Sequence, residues 1–152
     1  MKHLFTSIFV VFLFLGCSRD TAFDRFPLSA QQKLAENSIQ SSKIIYKGDV
    51  DGIVSVIYLN EIFPKRFYKN EYFYVYLYTK DKEPKLTFLL NKKHALHITK
   101  LDDKNEFAKL VSFDVPWSKY YLVEFPKQGD KLDFKLKNKQ YNSAVLHFEK
   151  DK

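Results

Sequence analysis

From Lys43 onward, runs of β-forming residues recur about every ten positions, and that spacing restricts the chain to few architectures. The runs cover 43–48, 53–60, 71–79, 85–91, 94–101, 107–115, 119–125, 131–137 and 143–149. Several alternate strictly. Leu132, Phe134 and Leu136 interleave with Lys131, Asp133, Lys135 and Lys137, while Ala144, Leu146 and Phe148 interleave with Val145, His147 and Glu149. Period two places one set of side chains on each face of a strand. The run 53–60, IVSVIYLN, is apolar on both parities and reads as central. Asp51-Gly52, 80–84, 102–105 and 127–130 carry the glycine, proline, aspartate and asparagine that suit turns.

Many short strands with polar breaks predict an all-β antiparallel fold, and an immunoglobulin-like β-sandwich of about 7–9 strands is the expected form. One helix is expected before it, over 30–41. Ser29 followed three residues later by Gln32 suggests a capping box, and Leu34, Ala35 and Ile39 form a modest stripe. With no internal repeat and no low-complexity linker, residues 28–152 read as a single β domain.

Within this frame the stretch 71–79, EYFYVYLYT, stands out, with tyrosine at 72, 74, 76 and 78. Phe73, Val75 and Leu77 form its natural core face, so Tyr72, Tyr74, Tyr76 and Tyr78 share the other. Tyrosine joins a rigid apolar body to a hydroxyl, which suits recognition surfaces. Rings about 7 Å apart along a strand could stack on sugars or anchor a protein. The competing expectation is that the 30–41 helix, lysine stems or a loop cover the stripe. A second aromatic cluster, around Trp117 and Tyr120, follows Pro116 and carries the same two readings.

The first residues belong to another category. Lys2 precedes an uncharged apolar run from Leu4 to Leu15, which is shorter than the ~20 residues a membrane-spanning helix needs. Phe14-Leu15-Gly16-Cys17 follows, and here the chain resembles the bacterial lipoprotein class, whose lipobox ends in a small residue and a cysteine. The resemblance covers the first seventeen or so residues. It implies cleavage of residues 1–16 as a signal peptide, then a diacylglycerol thioether and an N-acyl chain on Cys17. Those covalent lipids are the only cofactor expected. Ser18, rather than aspartate, after the cysteine implies sorting to the outer membrane, on its periplasmic or surface side. Residues 17–27 then form the lipidated terminus and tether. The ten residues 18–27 reach at most about 35 Å when extended.

Removing residues 1–16 from the 152 leaves 136 and lowers the formal charge from +7 to +6, through loss of Lys2. Of the basic residues only Arg19, Arg25 and Arg66 are arginine. Sequence-specific nucleic-acid readers usually show arginine and a recognisable motif, so no nucleic-acid partner is expected. Lysine-mediated attraction to anionic lipid or glycan surfaces stays open. Cys17 is the only cysteine, which excludes an intramolecular disulfide.

Groups fit for covalent chemistry are sparse. His94 and His97 would point to opposite faces of a strand and could not share a metal. Gly48-Asp-Val-Asp-Gly52 lacks the third ligand of a calcium loop and suits a hairpin at Asp51-Gly52. The chain has only four glycines and no nucleophile-elbow, phosphate-loop or zinc-protease motif. No metal and no enzymatic activity are expected. The sequence reads as a lipid-anchored binding module with a protein or glycan partner in the envelope, similar in kind to small Gram-negative lipoproteins that carry immunoglobulin-like domains. The alternative is a lipocalin-like barrel carrying a small apolar ligand, although the early Gly-x-Trp of that family is missing.

Overall fold

The computed structural model describes residues 29–80, 85–111, 117–137 and 141–150. The expected signal peptide 1–16, Cys17 and the expected tether lie outside the described residues. The first element is helix α1 (Ala30–Ser38), capped as expected: the Ser29 N–H donates to Gln32 Oε1 at 2.7 Å and the Gln32 N–H to Ser29 Oγ at 3.2 Å. It ends three residues earlier than 41 because Ile39 turns extended and the chain enters β1 (Gln40–Tyr46). Ala35 is buried, whereas Leu34 faces solvent, so the apolar stripe is narrower than predicted.

The other strands are β2 (Asp49–Tyr58), β3 (Glu71–Thr79), β4 (Thr87–Leu90), β5 (Lys93–His94), β6 (His97–Leu101), β7 (Lys119–Phe125), β8 (Lys131–Lys137), β9 (Tyr141–Ser143) and β10 (Leu146–Glu149). A second short helix, α2 (Leu59–Ile62), follows β2 directly, and a 3₁₀ turn spans Ala108–Leu110. The described part of the 107–115 run is therefore this turn rather than a strand. The 143–149 run divides into β9 and β10 at Ala144-Val145.

All pairings are antiparallel, as expected for this all-β chain. They run through one sheet in the order β5-β4-β8-β9-β1-β2-β3-β7-β6, with β10 beside β8. The two separate sheets of an immunoglobulin-like sandwich are not what these pairings draw. β1 bonds to β2 along its length and to β9 through Ile44–Tyr46, which welds the two halves together. The result is a curled half-barrel. Its terminal strands β5 and β6 are separated in the chain by only Ala95 and Leu96, so the seam between them is crossed by the backbone itself. The Leu96 N–H donates to Glu124 O at 2.7 Å, continuing the β6–β7 ladder into the crossing. The curl brings β4 against β7, with the Phe88 and Tyr121 rings 5.7 Å apart.

The concave side holds the main core. Phe73 sits 5.1 Å from Phe134, 5.4 Å from Phe148 and 5.8 Å from Phe125, ring centre to ring centre. Val54, Val56, Val75, Leu77, Val123, Leu132 and Leu136 fill the space around them. These are the residues of one parity on each strand, and burying each large one contributes about 1.5–3 kcal/mol. The interior is packed with side chains.

The β1–β2 hairpin turns at Lys47-Gly48, not at Asp51-Gly52. Lys47 (φ 50°) and Gly48 (φ 98°) take the paired positive dihedrals that two-residue hairpins need. Gly52 has a different duty. Ile44 pairs with Gly52 and Ile45 with Val50, which leaves Asp51 as an extra residue in a bulge. A Cβ on Gly52 would lie 1.9 Å from the Tyr78 carbonyl oxygen, so the close approach of β3 admits only glycine.

Candidate functional site

Strand β3 keeps the predicted parity, and its tyrosines meet different fates. On the convex side, Tyr74 and Tyr76 join Ile57, Leu59, Ile62, Phe67, Phe107, Leu110, Tyr120 and Ala35 in a second core. Helix α1, helix α2 and the 3₁₀ turn roof this part of the sheet. Tyr74 is fully buried and Tyr76 is 7% exposed. The Tyr74 and Tyr120 rings are parallel to within 7° at 6.1 Å, and Phe107 lies 5.5 Å from Tyr74. Tyr74, Tyr76 and Tyr120 therefore form no solvent-facing binding surface. The cause is the cover of helix and turn, which supplies apolar contacts that water would otherwise replace.

Burial raises the Tyr74 hydroxyl's pKa, with Asn105 opposing the shift and Tyr120 and Tyr76 adding to it. Asn105 Nδ2 donates to that hydroxyl at 3.3 Å, so its oxygen is satisfied under the roof. Burial likewise raises Tyr76. Tyr72 is half-buried. Its ring lies 4.7 Å from Phe67 and its hydroxyl donates to Glu124 Oε1 at 2.9 Å. Asn70 Nδ2 reaches the same oxygen at 2.5 Å, and Asn60 ties Asn70 O to the Tyr72 N–H. These bonds fix the 59–72 segment against β7.

At the start of β3 a carboxylate occupies a core position. Glu71 shares the parity of Phe73, Val75 and Leu77 and is fully buried. Tyr58 OH donates to its Oε2 at 2.5 Å. The Gln128 N–H and Lys150 Nζ reach Oε1 at 2.9 Å and 2.7 Å, and Lys127 Nζ stands 3.8 Å from it. Burial alone would raise the Glu71 pKa, but the Gln128 N–H, Lys150 and Tyr58 together hold it below the ordinary value. Burial and the same hydrogen bond push Tyr58 up, so the shared proton stays on the phenol. Lys150 comes from just beyond β10, and this cluster pins the described C-terminal segment across one mouth of the half-barrel. The parity of Glu71 in a run of core residues was its sequence signal.

The opposite mouth is different. Tyr78 is 43% exposed and pairs directly with Ile53, 54% exposed. Lys43 flanks Ile53 on the other side. Because of the bulge at Asp51, Val50 emerges on the same face as Ile53 instead of the opposite one, and it is 48% exposed. Lys80 Nζ donates to Val50 O at 3.3 Å. Trp117, 67% exposed, lies two residues ahead of Lys119, the register partner of Leu77. Of the predicted aromatic surface, Tyr78 and Trp117 thus remain open to solvent, and they sit at one end of the sheet.

The described histidines are exposed: His94 in β5, His97 in β6 and His147 in β10. His147 Nδ1 lies 2.8 Å from Asp133 Oδ1 on the neighbouring strand. Among the described residues no cluster of three or more His, Cys, Asp or Glu could hold a metal ion, and no helix is long and apolar enough to cross a membrane. Comparison of the chain with protein-family models, curated proteins and solved structures gives no match.

Proposed function

We propose that the chain is a lipid-anchored protein of the bacterial cell envelope, sorted to the outer membrane, whose β domain acts by binding rather than catalysis. The observation that carries the anchor is the run Leu4–Leu15 followed by Gly16-Cys17. Acylation of Cys17 by more than one chain gives a stable anchor, since each buried CH₂ contributes about 0.8 kcal/mol. Support for a binding role comes from the hairpin mouth, where Val50, Ile53 and Tyr78 stay exposed beside Lys43, Lys47 and Lys80. The partner is a surface of the envelope, whether protein, glycan or lipid. An immunoglobulin-like arrangement of two sheets is not required by this reading. A lipocalin-like carrier needs free interior volume, and the rings of Phe73, Phe125, Phe134 and Phe148 occupy that space, so the anchored binding module is preferred.

Replacement of Cys17 by serine tests the anchor. The variant is expected to lose acyl labelling and to leave the membrane fraction. Unchanged labelling and fractionation would remove the anchor from the proposal.

A further inference from the structure

We infer that the hairpin mouth of the half-barrel is a bilayer-contacting surface, on which Val50, Ile53, Tyr78 and Trp117 enter the headgroup region of the membrane that holds the anchor. The inference rests on the lipid-anchor reading and assigns it an orientation. Nine large apolar side chains are exposed among the described residues; Val50, Ile53 and Tyr78 share one end of the sheet by register, and β7 is entered at that end from Trp117, two residues before Lys119. Their chemistry suits an interface more than a dry protein pocket. Trp and Tyr favour the level where an apolar ring meets water and headgroups. Lys43, Lys47 and Lys80 are exposed beside them and can lay their stems along the acyl boundary with the ammonium groups on lipid phosphates. Asp49 and Asp51 are the acids of the described hairpin, against Lys43 and Lys47 on the same hairpin and Lys80 just after β3.

The bulge is what assembles the surface. Were Asp51 paired in a regular ladder instead of bulged out, period two would send Val50 and Ile53, three positions apart, to opposite faces. Gly52, beside the bulge, lets β3 approach closely, and the bulge itself turns two scattered aliphatics into one patch. The far mouth shows that the fold can close an end: there Glu71, Tyr58, Gln128 and Lys150 satisfy one another. The tether supplies the remaining argument. Residues 18–27 extend to about 35 Å at most, so the domain never leaves the neighbourhood of its own bilayer. A patch of low intrinsic affinity is then presented at high effective concentration.

Trp117 is the only tryptophan in the chain, so its fluorescence reports this mouth alone. Lipidated full-length protein would be purified from membranes and reconstituted into phosphatidylcholine vesicles, with and without phosphatidylglycerol. Flotation reads the anchor, and quenching of Trp117 by brominated acyl chains reads the contact. The expected result is flotation, a blue-shifted emission and quenching that grows with phosphatidylglycerol. Ile53→Ser combined with Tyr78→Ser should cut the quenching severalfold, while Leu96→Ser, at the far end of β6, leaves it unchanged. Should the double variant unfold, Lys43→Glu with Lys47→Glu must still abolish the phosphatidylglycerol increment. Protein that floats while Trp117 stays open to iodide and unquenched by bromolipid overturns the bilayer contact and leaves the anchor standing. Failure to float overturns both.

Discussion

Strand β3 begins and ends in opposite surroundings. At Glu71 it carries a charge into the core, and Tyr58, the Gln128 N–H and Lys150 each contribute a donor to compensate it. At Tyr78 it carries an aromatic ring out to solvent, beside Ile53, with the ring two-fifths and Ile53 about half exposed. Simple burial rules favour the reverse, an exposed glutamate and a covered tyrosine. Between them Tyr74 lies under the roof of α1, α2 and the 3₁₀ turn. The difference shows that alternation assigns a side chain to a face, while burial is decided by which other segments reach that face. Among the described residues, the roof covers the middle of the convex side and stops short of the hairpin mouth.

The largest test of this contrast is Tyr74→Ala. The ring contacts Phe107, Tyr76 and Tyr120, so its removal leaves a cavity with aromatic walls. A loss of about 4 kcal/mol is expected in urea-induced unfolding, within the range for buried aromatics. Because domains of this size hold about 5–15 kcal/mol in total, the variant should be marginal at room temperature. A loss below about 1 kcal/mol would mean that the roof moves away easily and that the second core is not one.

Glu71→Gln comes next, at about 2 kcal/mol near neutral pH, the scale of hydrogen bonds to a charged group. Its pH dependence is the sharper readout. The folded-state pKa of Glu71 lies below its unfolded value, so the unfolded chain takes up the proton first. The stabilisation is complete above about pH 4.3, the ordinary glutamate value, and is lost as pH falls through the folded-state value. Glu106, held low by its hydrogen bond to Arg66, titrates in the same direction but is exposed. Comparison of the wild-type chain with Glu71→Gln isolates the buried carboxylate. The acid limb of the wild-type stability curve should flatten in the variant. Parallel limbs would show that Glu71 does not hold that mouth.

The faces of this protein were legible from its alternation, and the pairings were not. Strands 71–79, 119–125 and 131–137 occupy the predicted spans, with Phe73, Val75, Leu77, Leu132, Phe134 and Leu136 in the core. The turn was misplaced because Asp51-Gly52 has hairpin chemistry, whereas Lys47-Gly48 has the dihedrals. Gly52 answers a contact with Tyr78 O, a partner 26 positions away that local pattern cannot reveal. The joining of two halves into one curled sheet depends on Ile44–Tyr46 meeting Tyr141–Ser143, again a long-range pairing. The tyrosine stripe was legible as a stripe. Its division into covered and open parts depends on how α1 and the 3₁₀ turn dock, and on Asn105 reaching the Tyr74 hydroxyl.

Tyr78→Ala gives the smallest effect on stability and so the finest test of the comparison. The ring is two-fifths exposed, and the cross-strand contact it makes is with an Ile53 that is itself half exposed. Cross-strand pairs contribute about 0.2–1 kcal/mol, and the exposed position favours the lower end. A change of at most about 0.5 kcal/mol in unfolding is expected, roughly one-eighth of the Tyr74→Ala effect on the same strand face. Equal losses at the two positions would show that the hairpin mouth is covered by a part of the chain outside the described residues. That result would return all four tyrosines to structural duty. A small loss, combined with weaker vesicle contact, assigns Tyr78 a role that folding does not need. The stripe then divides between its third and fourth rings, with a core under the helix and a surface beyond it.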